Sequence, residues 1–252
     1  MPEFKSMKDQ LHLASQYLAA ANMSFLEKKA DDSHTNVGFD TDTMKMETYD
    51  LSPSGDRLAL NYRRFSLEWI SKNGMISLSL DGKTHNEILQ WLQECSQKHL
   101  GKEYVYEFHY ELPYTINDAY QYKLTDAAAL EHLCNLRILA EYTLESIVET
   151  HHLDSPIRIW PHHFDTGAYA PLNDTGISIG IGMAIPDTLS DEHYFYISGY
   201  KDGKAILPSS SSDLSLGKWV DQGFTGAILP ATNLVESETV QFFQETIHQF
   251  KK

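Results

Sequence analysis

Two histidines and an aspartate lie close together in the run SPIRIWPHHFDTG, residues 155–167. Extended backbone through this run would place His163 and Asp165 on one face, because side chains alternate along a strand with a period of two. A carboxylate beside an imidazole can fix its tautomer, raise its basicity or share a metal ion with it. We therefore expect a functional site in this run, with His163 and Asp165 as the candidate catalytic pair.

Pro161 interrupts the run and leaves two local structures open. Proline in a strand lies at an edge or a bulge, so the chain either stays extended through Pro161 or bends there and turns His162 and His163 to one side. The structural interpretation is that His163 and Asp165 form only a hydrogen-bonded pair at the end of a strand. The functional interpretation is that they contact a ligand, hold a metal ion or transfer a proton.

Residues 104–112 alternate between aromatic and polar side chains, which predicts a half-buried strand with an aromatic inner face. Its outer face would carry Glu107, His109 and Glu111. Such a set can bind a divalent cation, but charged residues are also usual on an exposed strand face. His34, in a polar segment between elements, fits a loop position as well as a ligand position.

Three classes of function are compatible with these residues. The leading hypothesis is a protein that binds a small molecule in a pocket around the WPHHFD run. The first alternative is a metal-assisted, hydrolase-like enzyme in which Asp165 orients His163 and either His109 or Glu111 completes the site. The second alternative is a structural or partner-binding protein, which is favoured by the absence of nucleophile, phosphate-loop and HExxH motifs. The sequence indicates no particular cofactor, metal or oligomeric state. The candidate ligand contacts are Trp160, His162, His109, Glu111 and His34.

The composition excludes some partners. The chain has 252 residues, of which 42% are hydrophobic, and it carries 35 acidic against 20 basic residues. A net charge of -15 without a basic stripe argues against nucleic acid. No signal-peptide core or bilayer-length apolar run is present, and Cys95 and Cys134 have no CxxC spacing. We therefore expect a cytoplasmic protein that binds neither nucleic acid nor membrane.

The N-terminal half predicts helices and antiparallel strands. Ser6 and Asp9 have capping-box spacing at the start of an amphipathic helix that extends to Phe25. A strand follows at residues 44–49. A second strand is predicted at residues 58–70, where the phase of the apolar residues changes at Arg63 and Arg64, as expected for a bulge. Asn73 and Gly74 predict a type I′ hairpin turn, and Thr84 with Glu87 predicts a capped helix that ends at Gly101.

The C-terminal half repeats this order. Thr125 is the predicted N-cap of a long helix. Residues 177–185 predict a strand with one bulky face and one almost bare face, which a ligand or another element of the fold could approach closely. The serines at 209–212 indicate a loop. Further predicted elements are a strand at 194–200, a return toward the core at 223–230 and a helix at 236–251.

Together these elements predict an α+β fold in which long helices pack on antiparallel sheets. We expect one domain over residues 1–252. The repeated order of elements suggests two related halves, residues 1–113 and 114–252, although no residue-level repeat supports a duplication.

The run WPHHFD resembles the strand motif of an uncharacterised bacterial family, a domain of unknown function with the pattern Trp-Pro-x-His-Phe-Asp. The later glycine-rich strand, the aromatic strand at 194–200, the GAILP return and the closing helix extend the resemblance over most of the chain. So do the hairpin around Trp69 and the segment at 109–113. The resemblance implies a fold and a suspected site but no reaction. The matching positions are Trp160, Pro161, His163, Phe164 and Asp165, followed by His109 and Glu111.

Overall fold

The computed structural model describes residues 2–112, 114–209 and 211–252, apart from the side chain of Pro2. Within these residues, four α-helices and two antiparallel sheets form the regular structure. The predicted α+β class is therefore confirmed.

The chain divides into two compact units. The first unit contains the described residues up to Asn135 together with Ile159–Phe164. The second unit contains Leu136–Arg158 and Asp165–Lys252. The short segment Ile159–Phe164, which holds most of the WPHHFD run, therefore belongs to the first unit although it comes late in the sequence.

The first helix, α1, covers Pro2–Phe25. It begins four residues before Ser6, so the predicted capping box at Ser6 and Asp9 is wrong. Both residues lie inside the helix, where Asp9 forms ion pairs with Lys5 at 2.6 Å and Lys8 at 2.7 Å. The apolar spacing predicted the helix, but Asp9 pairs with lysines along the helix and does not cap its start.

Polar as well as apolar residues of α1 are buried. The Asn22 side chain donates to the backbone oxygen of Asn36 at 2.9 Å, and the Gln10 side chain donates to the oxygen of Lys123 at 2.9 Å. These bonds compensate for burial of the amides. The polar face of α1 therefore holds loops of the first unit in place.

The sheet of the first unit is an antiparallel meander in which the strands follow chain order. Its third strand packs against α1. The strands are β1 (Gly38–Asp40), β2 (Lys45–Glu47), β3 (Arg57–Asn61), β4 (Ser66–Ser71) and β5 (Gly74–Ser79).

The predicted bulge at Arg63 and Arg64 is wrong, because residues 62–65 form a complete turn between β3 and β4. The Tyr62 backbone oxygen accepts from the N–H of Phe65 at 3.4 Å, and Phe65 has a positive φ of 47°. A turn and a bulge both change the phase of alternation, which explains why the sequence pattern did not separate them.

The predicted hairpin at Asn73 and Gly74 is confirmed, but its turn type is wrong. Ser71 pairs with Gly74 in the register of β4 and β5, so Lys72 and Asn73 are the two turn residues. Gly74 has a positive φ of 119°, and Asn73 is not among the described residues with positive φ. A type I′ turn needs positive φ at both turn residues.

The helix α2 (His85–Leu100) confirms its predicted caps. The Thr84 hydroxyl accepts from the N–H of Glu87 at 3.3 Å, and the Glu87 carboxylate accepts from the N–H of Thr84 at 2.9 Å. Gly101 ends the helix with φ +64°, a conformation that costs glycine little.

The strand predicted at residues 104–112 is wrong, because this segment has no regular structure. Two of its backbone N–H groups form hydrogen bonds with side chains and not with a neighbouring strand. The Tyr104 N–H donates to Gln93 Oε1 at 3.0 Å, and the Val105 N–H donates to Ser24 Oγ at 2.9 Å. Alternation indicates extended backbone, but it does not supply a partner strand. Pro113 lies outside the described residues.

The long helix α3 covers Ala127–His151, and its residues are divided between the two units after Asn135. The Asp126 carboxylate accepts from the N–H groups of Ala128 at 2.9 Å and Ala129 at 3.1 Å. Asp126 is therefore the N-cap, and the prediction of Thr125 was wrong by one residue.

Of the two courses left open at Pro161, the extended one is not observed. The strand β6 (Arg158–Trp160) ends before the proline, and residues 161–164 form a turn before β7 (Asp165–Leu172). The Trp160 oxygen accepts from the N–H groups of His163 at 3.1 Å and Phe164 at 2.6 Å. The alternative of a bend at Pro161 is the observed one.

The sheet of the second unit has β9 at its centre, flanked by β8 and then β7 on one side and by β12 and then β11 on the other. β10 also pairs with β9, and the closing helix α4 packs on β9 and β12. The predicted strands at 177–185 and 194–200 and the last helix are confirmed. Ser210, in the predicted serine loop, lies outside the described residues. The elements are β8 (Ile177–Ala184), β9 (Tyr194–Lys201), β10 (Lys204–Ile206), β11 (Lys218–Val220), β12 (Gly226–Pro230) and α4 (Glu236–Phe250).

Another element of the fold covers the bare face of β8. Gly182 pairs with Gly167 of β7 and with Tyr196 of β9. A Cβ at Gly182 would lie 2.7 Å from Cζ of Tyr196, and a Cβ at Gly167 would lie 3.1 Å from its hydroxyl. The two glycines therefore make room for the Tyr196 side chain.

Candidate functional site

Two polar residues of α1 fix the turn at residues 161–164. His12 Nε2 and Gln16 Nε2 both lie within hydrogen-bonding distance of the Pro161 oxygen, at 2.8 Å and 2.7 Å. A carbonyl oxygen can only accept, so His12 carries its proton on Nε2. The Phe164 ring stacks on the His12 ring with centroids 4.6 Å apart and an angle of 9°. Buried contacts on α1 therefore set the conformation of the WPHHFD run.

The aromatic segment at 104–112 is attached to the same helix. The Tyr104 hydroxyl donates to the backbone oxygen of Tyr17 at 3.0 Å. The Tyr110 hydroxyl donates to Gln16 Oε1 at 2.9 Å. Gln16 is fully buried and bonds both Tyr110 and Pro161, so one side chain aligns the aromatic segment with the histidine turn.

Five ring side chains form a continuous row across these two segments. We call the row of Tyr106, Phe108, Tyr110, His162 and His163 the aromatic–histidine row. Successive ring centroids lie 4.9, 5.1, 5.4 and 4.1 Å apart, and the rings are tilted or edge-on to each other. The first four rings are half-buried and His163 is exposed. The row therefore combines apolar ring surface with two imidazoles that solvent can reach.

His109 and His34 belong to a polar group beside this row. His109 Nε2 lies 3.0 Å from Asp32 Oδ2, and its ring contacts that of Tyr110 with centroids 5.3 Å apart. His34 is buried, and its Nδ1 accepts from the N–H of Lys29 at 3.3 Å. Burial lowers the pKa of His34, and the Asp32 carboxylate partly offsets that effect. A neutral His34 fits a role in loop structure.

The other candidate residues lie in different surroundings. Glu111 is exposed, and Trp160 is half-buried at the end of β6. Asp165 belongs to the second unit, where its Oδ2 accepts from the Tyr196 hydroxyl at 2.7 Å. Among the described residues, the buried Asp165 Oδ1 has no hydrogen-bond partner. Burial, followed by the charge of Asp165, holds the pKa of Tyr196 well above its ordinary value, so the hydroxyl remains a donor.

The described residues contain no group of three or more histidine, cysteine, aspartate and glutamate side chains that could hold a metal ion. His109 and Glu111 were predicted on one face of a strand, but that strand does not form. The geometry therefore gives no support to the metal-assisted alternative.

Sequence reasoning missed Gln16 and gave the wrong structure to Tyr106, Phe108 and Tyr110. The alternation of the three rings was visible, but it was assigned to the buried face of a sheet. The sequence offered one signal for Gln16, because it is a polar residue among the apolar positions of a helix. The structure buries that helix on most sides.

Comparison of the chain with protein-family models, curated protein sequences and solved structures gives no match. The resemblance carried by Trp160, Pro161, His163, Phe164 and Asp165 therefore stays a prediction. Among the residues that the structure describes, no helix has the length and apolar character needed to cross a bilayer.

Proposed function

We propose that the protein binds a small molecule at the aromatic–histidine row. The observation that carries the proposal is that a fixed row of five rings is left partly open to solvent. Rings that serve only the core are normally buried, whereas ligand sites combine apolar rings with a few oriented polar groups. The row has both apolar rings that are partly open to solvent and two imidazoles as polar groups.

The anchoring of the row supports a binding role. Gln16 holds Tyr110 and Pro161 through buried hydrogen bonds, so little conformational freedom has to be lost when a ligand binds. The rings offer surface to a flat or apolar group, and the imidazoles of His162 and His163 offer hydrogen bonds to a polar edge. Trp160, which precedes the histidines in the sequence, remains a candidate contact.

A ligand panel tests this proposal. Thermal unfolding of the wild type should be measured with nucleosides, aromatic amines and monosaccharides, and repeated with His163→Ala. His248→Ala is the matched control, because His248 is an exposed histidine on α4. A ligand at about 100 times its dissociation constant stabilises the fold by about 2.7 kcal/mol.

We expect at least one compound to raise the melting temperature of the wild type and of His248→Ala, with a smaller increase in His163→Ala. Equal shifts in all three proteins would place binding elsewhere, and no shift with any compound would argue against a ligand-binding row.

We also propose a cytoplasmic location. Cys95 and Cys134 are both free and buried. Burial raises the pKa of Cys95 to about 12 and raises the pKa of Cys134 as well, so neither thiol is poised to react. Unpaired, unreactive thiols are typical of proteins in a reducing compartment.

A further inference from the structure

A cavity of about 360 Å³ opens in the first unit beside the tips of its hairpins. The turn before β2, the turn between β3 and β4 and the first residues of β5 form its walls. This volume lies in the range of small-molecule sites. No residue of the cavity belongs to the aromatic–histidine row, so it is a separate candidate site.

A fully buried carboxylate, Glu68, holds two lining residues of the cavity, Lys45 and Asn61. Glu68 Oε2 lies 2.7 Å from Lys45 Nζ, and Glu68 Oε1 accepts from the Asn61 side chain at 3.0 Å. Asn61 Oδ1 in turn accepts from the N–H of Arg64 at 3.0 Å. A buried carboxylate that has both an ion-pair partner and a hydrogen-bond donor restricts the positions of those two partners. The network therefore fixes the backbone of the turn that carries the arginines.

Arg63 and Arg64 project from this turn and are exposed. Neither guanidinium forms an ion pair with a carboxylate among the described residues, whereas Arg57 in the same sheet pairs with Glu47. In a chain with 35 acidic and 20 basic residues, two adjacent unpaired arginines are unexpected. A guanidinium has a planar fork of donors that matches the oxygens of a carboxylate or phosphate.

The remaining lining residues define the ligand further. Lys45 is neutralised by Glu68, so the arginines supply the free positive charge, and Asp42 opposes them on the rim. Met75 lines the cavity with 44% of its surface exposed and offers an apolar wall. The lining thus suits a molecule with one anionic end and one apolar end.

We propose that this cavity is a binding site for a small organic oxyanion. The carboxylate or phosphate group contacts Arg63 and Arg64, and the apolar part contacts Met75. Asp42 limits the affinity through repulsion and disfavours ligands with high negative charge.

Binding of phenyl phosphate and of benzoate should be measured by amide chemical shifts in chloride buffers of constant ionic strength. Inorganic phosphate is the probe without an apolar part. The two aromatic probes distinguish phosphate from carboxylate recognition, and the inorganic one tests the apolar wall. The variants are Arg63→Ala/Arg64→Ala, Asp42→Asn and the matched control Arg57→Ala, whose arginine is already paired.

We expect saturable binding of at least one aromatic probe, with the largest shifts at residues 61–64, and weaker binding of inorganic phosphate. The double variant should weaken binding by about tenfold or more, which corresponds to about 1.4 kcal/mol. Asp42→Asn should tighten it about two- to threefold, by removing a rim charge, and Arg57→Ala should leave it within about twofold.

The proposal would be overturned if neither aromatic probe bound saturably, or if the double variant bound them as tightly as the wild type. It would also be overturned if Arg57→Ala lost as much affinity as the double variant, because the loss would then report only net charge. The arginines are exposed, so the double variant should fold. If its amide spectrum shows otherwise, Arg63→Gln and Arg64→Gln tested singly should each weaken binding, and unchanged affinity in both would reject the site.

Discussion

Glu141 is a buried carboxyl in the part of α3 that belongs to the second unit. Burial raises its pKa to about 7, and the nearby Arg137 and Arg158 only partly oppose that effect. Its Oε1 has no hydrogen-bond partner among the described residues. Arg137 donates to the Thr166 hydroxyl at 2.5 Å, and this hydrogen bond helps to fix the position of its guanidinium. The folded protein therefore favours the protonated form of Glu141.

This residue makes the stability of the protein depend on pH. The folded pKa of about 7 lies above the ordinary value of 4.5. Between these values the native state holds a proton that the unfolded state has released, so stability falls as the pH rises from about 4.5 to 7. The difference between the folded and the ordinary pKa corresponds to a loss of about 3 kcal/mol.

Glu141→Gln should remove this contribution. Urea unfolding at several pH values between 4.5 and 8 should show a smaller decrease for Glu141→Gln than for the wild type. Glu149→Gln, an exposed position about two turns further along α3, is the matched control and should keep the wild-type slope. Equal slopes in all three proteins would contradict a raised pKa at Glu141.

At the scale of elements, glycines of β7 and β8 make room for the side chain of a neighbouring strand. Gly182 and Gly167 leave space for the Tyr196 side chain, whose hydroxyl then reaches Asp165 at 2.7 Å. Gly180 has a different environment, because a Cβ there would lie 3.6 Å from the Tyr200 ring, an ordinary contact.

Gly182→Ala should therefore destabilise the fold by about 1–3 kcal/mol, as overpacking does. The added methyl group would meet the backbone oxygen of Thr166, which cannot move aside within the sheet. Gly180→Ala in the same strand should change the free energy of unfolding by less than about 0.5 kcal/mol. Denaturant unfolding of both variants measures the difference, and similar effects at the two positions would show that Tyr196 does not require the space.

Local signals predicted the helices and hairpins well because their causes are local. The capping box at Thr84 and the end of α2 at Gly101 depend on residues next to each other in the chain, and the structure confirms both. The segment at 104–112 shows the opposite case. Its alternation requires extended backbone, but whether it joins a sheet depends on distant partners, which here are the side chains of Ser24 and Gln93.

The candidate site has the same division between local and distant causes. A bend at Pro161 that turns the adjacent imidazoles to one side was one of the two courses that the sequence left open. Its neighbours depend on Gln16, which lies 145 positions before Pro161 and joins the turn to Tyr110 through long-range hydrogen bonds. A single sequence contains no signal for that connection.

At the scale of the whole molecule, each unit has the same order of elements. In the first unit, α1 precedes the meander and α2 follows it; in the second unit, the later part of α3 precedes the strands and α4 follows them. The strand orders differ, since the first sheet follows chain order and the second has β9 next to β12. Neither the single domain over 1–252 nor a duplication into 1–113 and 114–252 is tested by this order, and both stay predictions.

The net charge of -15 sets the response of the whole molecule to salt. At neutral pH the excess carboxylates repel each other more strongly in the compact state than in the expanded chain. Exposed ion pairs such as Lys83 with Glu87 contribute little. Raising the salt concentration from about 0.01 M to 1 M shortens the screening length from about 30 Å to 3 Å. Screening should therefore stabilise the folded protein.

We expect the melting temperature at pH 8 to rise by about 3 °C over this range of sodium chloride, which corresponds to roughly 1 kcal/mol for a chain of this size. The control is the same titration near pH 5, close to the isoelectric point of about 5.1, where the net charge is small and the increase should be smaller. Chloride is used so that oxyanion binding at Arg63 and Arg64 does not add to the effect. A melting temperature that falls with salt at pH 8 would show that attractive ion pairs outweigh the excess negative charge.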